Sequence, residues 1–185
     1  MEIGGKLIEL LARAVGKLSN IRMLSTVANR ETPALKAIRA AAEKMNIPIR
    51  PELLQSPINE AEYRRALDAM QRDHVDGVVI SADSMHYTYR VLLGRLAQQY
   101  RIPAICWFSD SVEAGALMSY AAFNLDGEAR RLAAQVVQIL NGGNPAEMPF
   151  FQETHFDLVI NMKAAKELGL AISSGLLSIA DELID

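Results

Sequence analysis

The sequence predicts an α/β fold in which helices cover both faces of a parallel sheet, a three-layer, Rossmann-like arrangement. Two observations predict it. Short apolar runs of strand length alternate with helical segments, and these runs are apolar on both faces, as buried parallel strands are. With 185 residues, of which 50% are hydrophobic and 22% charged, the chain is long enough to bury such a core. Right-handed crossovers then place helices on both sides of the sheet.

The first elements follow from the spacing of the apolar residues. Residues 1–18 are amphipathic, with their apolar positions on one helical face, and predict a leading helix. The apolar run Ile21–Ser25 predicts the first strand. Thr32 followed by Pro33 predicts a capped helix start, because a proline at the first helical position loses no helical hydrogen bond. Residues 47–54 look extended, and their two prolines favour an edge strand.

The middle of the chain continues the alternation. Asn59 and Glu62 have the spacing of a capping pair at the start of a third helix. Gly77–Ser81 and Ala104–Phe108 are continuous apolar runs, which predict two more strands with a helix between them. Residues 109–123 have no clear single period, so no element is predicted there.

The last third begins with a strong helical pattern at residues 129–140, which Gly142 and Gly143 terminate. Residues 149–161 then look extended. Two short helices or turns close the sequence.

Several classes of function are excluded by what the sequence lacks. A net charge of −3 gives no basic footprint for nucleic acid or for an anionic membrane. The single cysteine, Cys106, excludes an internal disulfide and leaves both redox compartments open. His74, His86 and His155 are dispersed, so we expect no metal site. Because no acid–base pair or activated nucleophile is recognisable either, we expect no cofactor and no enzymatic reaction.

A ligand site is predicted at one edge of the sheet, since open parallel sheets bind ligands beyond the carboxyl ends of their strands. Three loops follow the predicted strands at this edge, at residues 25–32, 81–86 and 107–112. Their hydroxyl, amide and carboxylate side chains can bind the polar groups of a small solute, and their aromatic side chains can supply an apolar wall. Thr26, Phe108 and Asp110 lie in these loops. The candidate ligand-binding residues are Ser25, Asn29, Ser81, Asp83, Ser84, Trp107, Ser109 and Tyr120.

These candidates also have purely structural interpretations. Ser81 and Ser84 are of a type that caps helices, and Asp83 can cap a helix or stay solvated. Asn29 can simply tolerate a turn conformation. Trp107 and the residue after it alternate across a strand, so one of the two faces the core. The sequence alone leaves both interpretations open.

Two segments carry a family resemblance. Phe156–Asp185 (FDLVINMKAAKELGLAISSGLLSIADELID) and Glu113–Leu125 (EAGALMSYAAFNL) closely resemble the C-terminal signature of a family of extracytoplasmic solute-binding proteins. That family serves ABC importers and includes members that bind tryptophan or other aromatic amino acids. The resemblance implies one lobe, and part of a second, of a periplasmic-binding-protein-like fold (type I).

The resemblance also implies a division of the chain. It gives a leading helix at residues 1–18, a C-terminal-type lobe at 19–112 and 157–185, and a remnant of the other lobe at 113–156. We therefore expect an N-terminal truncation that removes the opening strands of the other lobe. The remnant would keep an uncovered apolar face, and such faces usually bury themselves in a partner. A homodimer or larger homo-oligomer is the expectation.

By this resemblance the protein is a solute-binding component of an ABC-type importer. It would bind a small polar metabolite, such as an amino acid, in an interlobe cleft, with a membrane permease as partner once exported. The resemblance implies a periplasmic location, although residues 1–18 lack the features of a secretory signal, and we expect a leader to have been lost. The alternative is a cytoplasmic ligand-sensing or oligomerising regulatory module derived from such a lobe.

Overall fold

The computed structural model of the protein describes residues 3–121, 125–149 and 156–185. The chain divides into two compact units. Unit 1 contains Met1–Ala121 and Asp157–Asp185, and unit 2 contains Ala122–Phe156. The lobe boundaries expected from the family resemblance stay a prediction.

Unit 1 is built on one sheet, whose order in the described residues is β2-β1-β3-β4-β5-β6-β7. Neighbouring strands from β2 to β5 are parallel, β5 and β6 are antiparallel, and β6 and β7 are parallel. The α/β fold class is confirmed, with the antiparallel pair as the departure from an all-parallel sheet. The strands are β1 (Ile21–Thr26), β2 (Ile49–Leu54), β3 (Gly77–Ile80), β4 (Ala104–Cys106), β5 (Met118–Ala121), β6 (Asp157–Asn161) and β7 (Glu182–Ile184).

Helices and short 3-10 turns connect the strands. The turns cover Val27–Asn29 and Pro145–Glu147. The helices of the described residues are α1 (Ile3–Val15), α2 (Pro33–Lys44), α3 (Glu60–Arg72), α4 (Ser84–Thr88), α5 (Arg90–Tyr100), α6 (Ser109–Glu113), α7 (Leu125–Leu140), α8 (Met162–Glu167) and α9 (Ser174–Leu177).

The core of unit 1 lies in two layers, one on each face of the sheet. On one face, α1 and α2 bury residues such as Leu7, Leu11 and Ile38 against the strands. On the other face, α3 and α5 bury Tyr63 and Leu96, among others. Each layer removes apolar surface from water, which is the main favourable term in folding. The three layers predicted from strands apolar on both faces are therefore present.

Local signals place several of these elements. Thr32 Oγ1 accepts a hydrogen bond from the Leu35 amide at 3.4 Å, and Pro33 is the first residue of α2, as predicted. Asn59 Oδ1 caps α3 by accepting from the Glu62 amide at 3.1 Å. The Glu62 carboxylate does not return to Asn59 but accepts from the Gln55 amide at 2.8 Å, which joins α3 to the end of β2. β2 is an edge strand, as its prolines predict.

Some sequence predictions were wrong in detail. The strand predicted to run through Phe108 ends at Cys106, because Phe108 is already the residue that precedes α6. The segment without a clear period contains α6 and β5. β5 is only four residues long and pairs with β4 on one side and β6 on the other. Its extended conformation therefore depends on these neighbours and not on the local sequence.

Unit 2 contains α7 and the 3-10 turn that follows it. Asn144 caps this turn by accepting from the Ala146 amide at 3.1 Å. Gly142 follows α7 with φ = 92°, a conformation that favours glycine. Several apolar side chains of α7 are exposed: Leu132, Val136, Val137, Ile139 and Leu140. None of the helices in the described residues combines the length and the hydropathy of a membrane span.

Candidate functional site

The carboxyl ends of β1, β3, β4 and β5 meet at one edge of the unit 1 sheet, because these four strands are parallel. We call it the carboxyl edge. The segments that leave it are 27–32, 81–83 and 107–108, and each leads into a helix. All the predicted site residues lie in these loops, in the strand ends or in the turns and helices that follow.

Asp83 ties two of these loops together. Its Oδ2 accepts hydrogen bonds from Thr26 Oγ1 at 2.7 Å, at the end of β1, and from Asn29 Nδ2, in the 3-10 turn that follows. Its Oδ1 accepts from the Met85 amide at 2.8 Å and caps α4. Burial tends to raise the pKa of Asp83, but the hydrogen bonds from Thr26, Met85 and Asn29 outweigh it and leave the pKa below its ordinary value. Asp83 therefore stays ionised as an internal anchor.

Ser81 and His86 form a second buried link under the same loop. His86 Nδ1 lies 2.9 Å from the Ser81 carbonyl oxygen and 3.2 Å from Ser81 Oγ. Both side chains are buried. The pKa of His86 is lowered because burial disfavours the imidazolium, and this outweighs the opposing influence of the Ser81 carbonyl and Asp83. The ring is neutral at pH 7.

The predicted site residues fall into two groups. Ser25, Ser81 and Asp83 are buried, and Asp83 is only 3% exposed. These side chains lie beneath the surface of the carboxyl edge and hold its loops. The others are reachable from solvent to some degree: Asn29, Ser84, Trp107, Ser109 and Tyr120. Which of them contact a ligand stays a prediction.

Trp107 and Tyr120 pack on the α1 side of the sheet, where both are half-buried. Trp107 Nε1 is buried and has no hydrogen-bond partner within the described part of the chain. Burial, then Asp181 and Glu9, raise the pKa of Tyr120, so its phenol is neutral at pH 7. The neighbour of Trp107, Phe108, forms an aromatic contact with Tyr87 from α4 instead.

Two further residues at this edge, Tyr87 and Arg90, are absent from the sequence prediction. The ring centres of Tyr87 and Phe108 lie 4.9 Å apart with the rings tilted by 67°. The Arg90 guanidinium lies 4.4 Å from the centre of the Tyr87 ring and donates through Nη1 to the Tyr87 carbonyl oxygen at 3.0 Å. Through Nε it donates to the Asp110 carboxylate. We call these four residues, Tyr87, Arg90, Phe108 and Asp110, the edge cluster.

No local signal distinguishes Arg90 from an ordinary solvated arginine. It opens α5, and its carboxylate partner is twenty positions away, in α6. Tyr87 could have been proposed as a third aromatic residue close to the loop after β3, but its contact with Phe108 depends on the packing of two separate loops. The edge cluster combines both signs of charge with an aromatic surface. Its chemistry suits a small molecule that carries an ammonium, a carboxylate and an apolar group.

Within the described residues, neither Cys106 nor the residue types that ligate metals form a reactive group. Cys106 is buried, and burial raises the pKa of its thiol to about 12, so it is not an activated nucleophile. Within residues 3–121, 125–149 and 156–185, no cluster of three or more His, Cys, Asp or Glu side chains could hold a metal ion. That the protein uses no cofactor stays an expectation.

Comparison with known families decides the identity. The sequence pattern of the ABC transporter substrate binding protein family matches residues 2–184, which is nearly the whole chain. The chain belongs to this family. No curated protein matches the sequence.

Solved structures agree on the fold of this substrate-binding protein. One neighbour is an ABC domain in complex with L-Trp from Streptococcus pneumoniae, with a TM-score of 0.84 and 22% identity. A conserved domain protein from Vibrio cholerae also has a TM-score of 0.84, with 21% identity. A third is CD0873, a ligand-free substrate binding protein with adhesive properties from Clostridium difficile, with a TM-score of 0.67 and 20% identity.

The overlap with these neighbours is one-sided. They match 98%, 99% and 97% of this substrate-binding protein, which in turn covers 60%, 60% and 59% of their chains. The chain thus spans about three-fifths of the length of these proteins. At these identities, the likeness supports the fold alone.

A separate cavity lies at the opposite edge of the unit 1 sheet. Its volume is about 520 Å³, and it is lined by the end of α5, by Gly115 and by α8. Gln98 and Arg101, which line it, already donate to Glu167, at 2.7 Å to its carboxylate and at 2.5 Å to its carbonyl oxygen. It contains none of the predicted site residues.

Proposed function

We propose that this protein is the solute-binding component of an ABC-type importer and that its carboxyl edge supplies part of the site for a small zwitterion such as an amino acid. The family membership supports the general role. The observation that carries the ligand class is the edge cluster, in which Arg90 and Asp110 stand beside the Tyr87 and Phe108 rings. The protein performs no reaction on its ligand.

Each part of the edge cluster matches one part of an amino acid. Arg90 has one Nη group left beyond its bonds to Asp110 and Tyr87, and guanidinium groups bind carboxylates strongly. The Asp110 carboxylate can accept from an ammonium with the oxygen that Arg90 does not use. Their side chains are 29% and 45% exposed, so a ligand can reach them. Beside them lie the Tyr87 and Phe108 rings, which contact each other and are of a type that packs against apolar ligand groups.

Buried groups hold this surface in place before a ligand arrives. Asp83 holds Asn29 by accepting from its Nδ2, which leaves the side-chain oxygen of Asn29, Oδ1, as a further acceptor. Preorganised polar groups raise affinity because less side-chain entropy is lost on binding. Contacts from the rest of an interlobe cleft would add to this half-site by hinge closure.

The partners and location follow from the same proposal. The partner is the membrane permease of an importer, and the protein is located in the periplasm. The exposed apolar side chains of α7 also support a homodimer, in which two copies cover each other. Light scattering checks this: we expect twice the 20.3 kDa of one chain, and a mass of one chain at micromolar concentration contradicts the dimer.

Replacing Arg90 tests the ligand class. In a screen by thermal shift and calorimetry, we expect aromatic amino acids to raise the melting temperature, because a ligand that binds only the folded state stabilises it. L-Trp is the first to test, since one structural neighbour is complexed with it. We expect Arg90→Gln to weaken binding about tenfold or more, the range that a lost charge-assisted hydrogen bond predicts.

Arg95 supplies the matched control, since it is an exposed arginine on the same helix. Arg95→Gln should leave the affinity within about twofold of the wild type, because screened surface charges contribute little. Tryptamine lacks the carboxylate. It should bind the wild type more weakly than L-Trp does, by the same factor by which Arg90→Gln weakens the binding of L-Trp. Equal binding of L-Trp by both variants would show that Arg90 does not hold the carboxylate.

A further inference from the structure

His86 is buried beneath the proposed ligand site, where a ligand cannot contact it. It is the third residue of α4, and its side chain is fully buried beneath the loop after β3. The residue after it is Tyr87 of the edge cluster, and the loop that it underlies carries Asp83. A shift of the backbone at His86 would therefore move residues of the proposed site.

The protonation of the ring follows from its contacts. The Ser81 carbonyl oxygen can only accept, so Nδ1, 2.9 Å away, carries a proton and donates to it. The same oxygen accepts from the Asp83 amide at 3.0 Å. The Ser81 amide in turn donates to the Leu24 carbonyl oxygen at 3.1 Å, so Ser81 is joined to β1. The imidazole thereby braces α4 against the sheet.

The other ring nitrogen belongs to a buried ring that packs beside Tyr63. Nε2 is buried and has no hydrogen-bond partner within the described residues. The Tyr63 ring of α3 lies 5.9 Å from the imidazole, centre to centre, and its own buried hydroxyl also lacks a partner there. The titratable groups around His86 are Tyr63 from α3, Tyr89, which packs on Tyr63 at 5.2 Å, and Asp83 from the loop.

A second proton on Nε2 would therefore be buried without an acceptor among the described residues. Asp83 is the negative group nearby, but its carboxylate is already occupied by Thr26, Asn29 and Met85. Burying an unpaired charge is costly, so the imidazolium form favours any conformation that brings the ring to solvent. α4 has only five residues and can move as a local unit.

We infer that His86 is a positioning residue of the carboxyl edge, whose neutral imidazole holds α4 in place and whose protonation releases α4 and lowers ligand affinity. The affinity part rests on the proposed function, whereas the release of α4 does not. Histidine is the side chain suited to such a change between pH 5 and 8.

Hydrogen exchange of α4 tests the release without any ligand. The Tyr87 and Tyr89 amides donate to the Asp83 and Met85 carbonyl oxygens, so their protection factors report on α4. Between pH 7.5 and 5.0 we expect these factors to fall about tenfold or more, since one pH unit can shift the equilibrium about tenfold. The Val78 amide, which bonds to Pro103 in the sheet, is the reference and should not change.

The variant His86→Asn separates the two roles of the ring. An asparagine amide can donate from nearly the same place as Nδ1 but does not titrate. We expect it to keep the protection factors of Tyr87 and Tyr89 and to remove their pH dependence. The proposal is overturned if the wild type shows no fall, or if His86→Asn shows the same fall. Should the variant not fold, an NMR titration of the His86 imidazole in the wild type decides. A normal pKa near 6.5 would overturn the proposal that the neutral ring holds α4 in place.

Binding data distinguish this proposal from the proposed function. If L-Trp or another amino acid binds, its affinity should weaken on acidification in the wild type and stay constant in His86→Asn. An affinity that is independent of pH in the wild type overturns the link to binding. If α4 is released as expected but no amino acid binds, the brace is supported and the proposed ligand class fails.

Discussion

Gly94→Ala is expected to destabilise the protein by about 3 kcal/mol, at the upper end of what overpacking costs. Gly94 is a buried residue in the middle of α5, where α6 crosses closely. A Cβ at this position would overlap the Ser111 carbonyl oxygen and lie 2.8 Å from Ala114 Cβ. Because these are backbone and near-backbone atoms, no side-chain rotation can relieve the overlap.

The expected loss of stability in Gly94→Ala is informative because helix propensity alone predicts a gain. Alanine in a helix interior is favoured over glycine by about 1 kcal/mol. Gly5→Ala in α1 is the matched control, since a Cβ there would make an ordinary contact of 3.5 Å with Ala41 Cβ. We expect Gly5→Ala to be neutral or stabilising.

Urea denaturation, followed by the fluorescence of the single tryptophan, Trp107, measures both variants. Equal stabilities of Gly94→Ala and wild type would contradict the close packing of α5 on α6. Since α6 also carries Asp110, Gly94→Ala should weaken ligand binding as well, if the edge cluster binds the ligand.

The sequence could predict the layers of this fold but not its shortest strands. β1 and β3 are buried on both faces, and their mainly apolar sequences are sufficient to place them within a covered sheet. β5 has four residues in a segment without a clear period, and it is held by β4 and β6, which lie far apart in sequence. Long-range pairing of this kind leaves no local trace.

The same distinction holds at the candidate site. Strand ends and polar residue types could place it at the carboxyl edge. They could not separate Asp83, buried and bonded to Thr26 fifty-seven positions away, from its exposed neighbour Ser84. Nor could they reveal Arg90, whose place depends on how α5 approaches α6. Burial and pairing are properties of the packed structure, whereas residue type is a property of the sequence.

Asp83→Ala is expected to have a still larger effect than Gly94→Ala, about 3 to 5 kcal/mol of lost stability. Three donors, from Thr26, Asn29 and Met85, converge on this buried carboxylate. Removing it leaves them without their partner, and each unsatisfied buried polar group costs about 1–3 kcal/mol. The sum is partly relieved because Asn29 is only half-buried and can turn to solvent.

Asp83→Asn is the matched variant, because its amide oxygen can still accept from the Met85 amide while its volume is unchanged. It should lose less stability than Asp83→Ala. It should also change the response to acid. Since the pKa of Asp83 lies below the ordinary 3.8 in the folded state, its stabilisation is complete above pH 3.8 and is lost as the pH falls through the lowered value.

Denaturation of the wild type and both Asp83 variants at several pH values separates the contributions of two residues. The stability that depends on Asp83 should vanish only in the acid range, and Asp83→Asn should flatten the curve there. The neutral His86 acts at higher pH: its lowered folded pKa means that stability falls once the pH drops below 6.5, where the unfolded chain binds a proton and the folded chain does not. A curve of Asp83→Asn that matches the wild type in the acid range would show that Asp83 is not the ionised anchor of this edge.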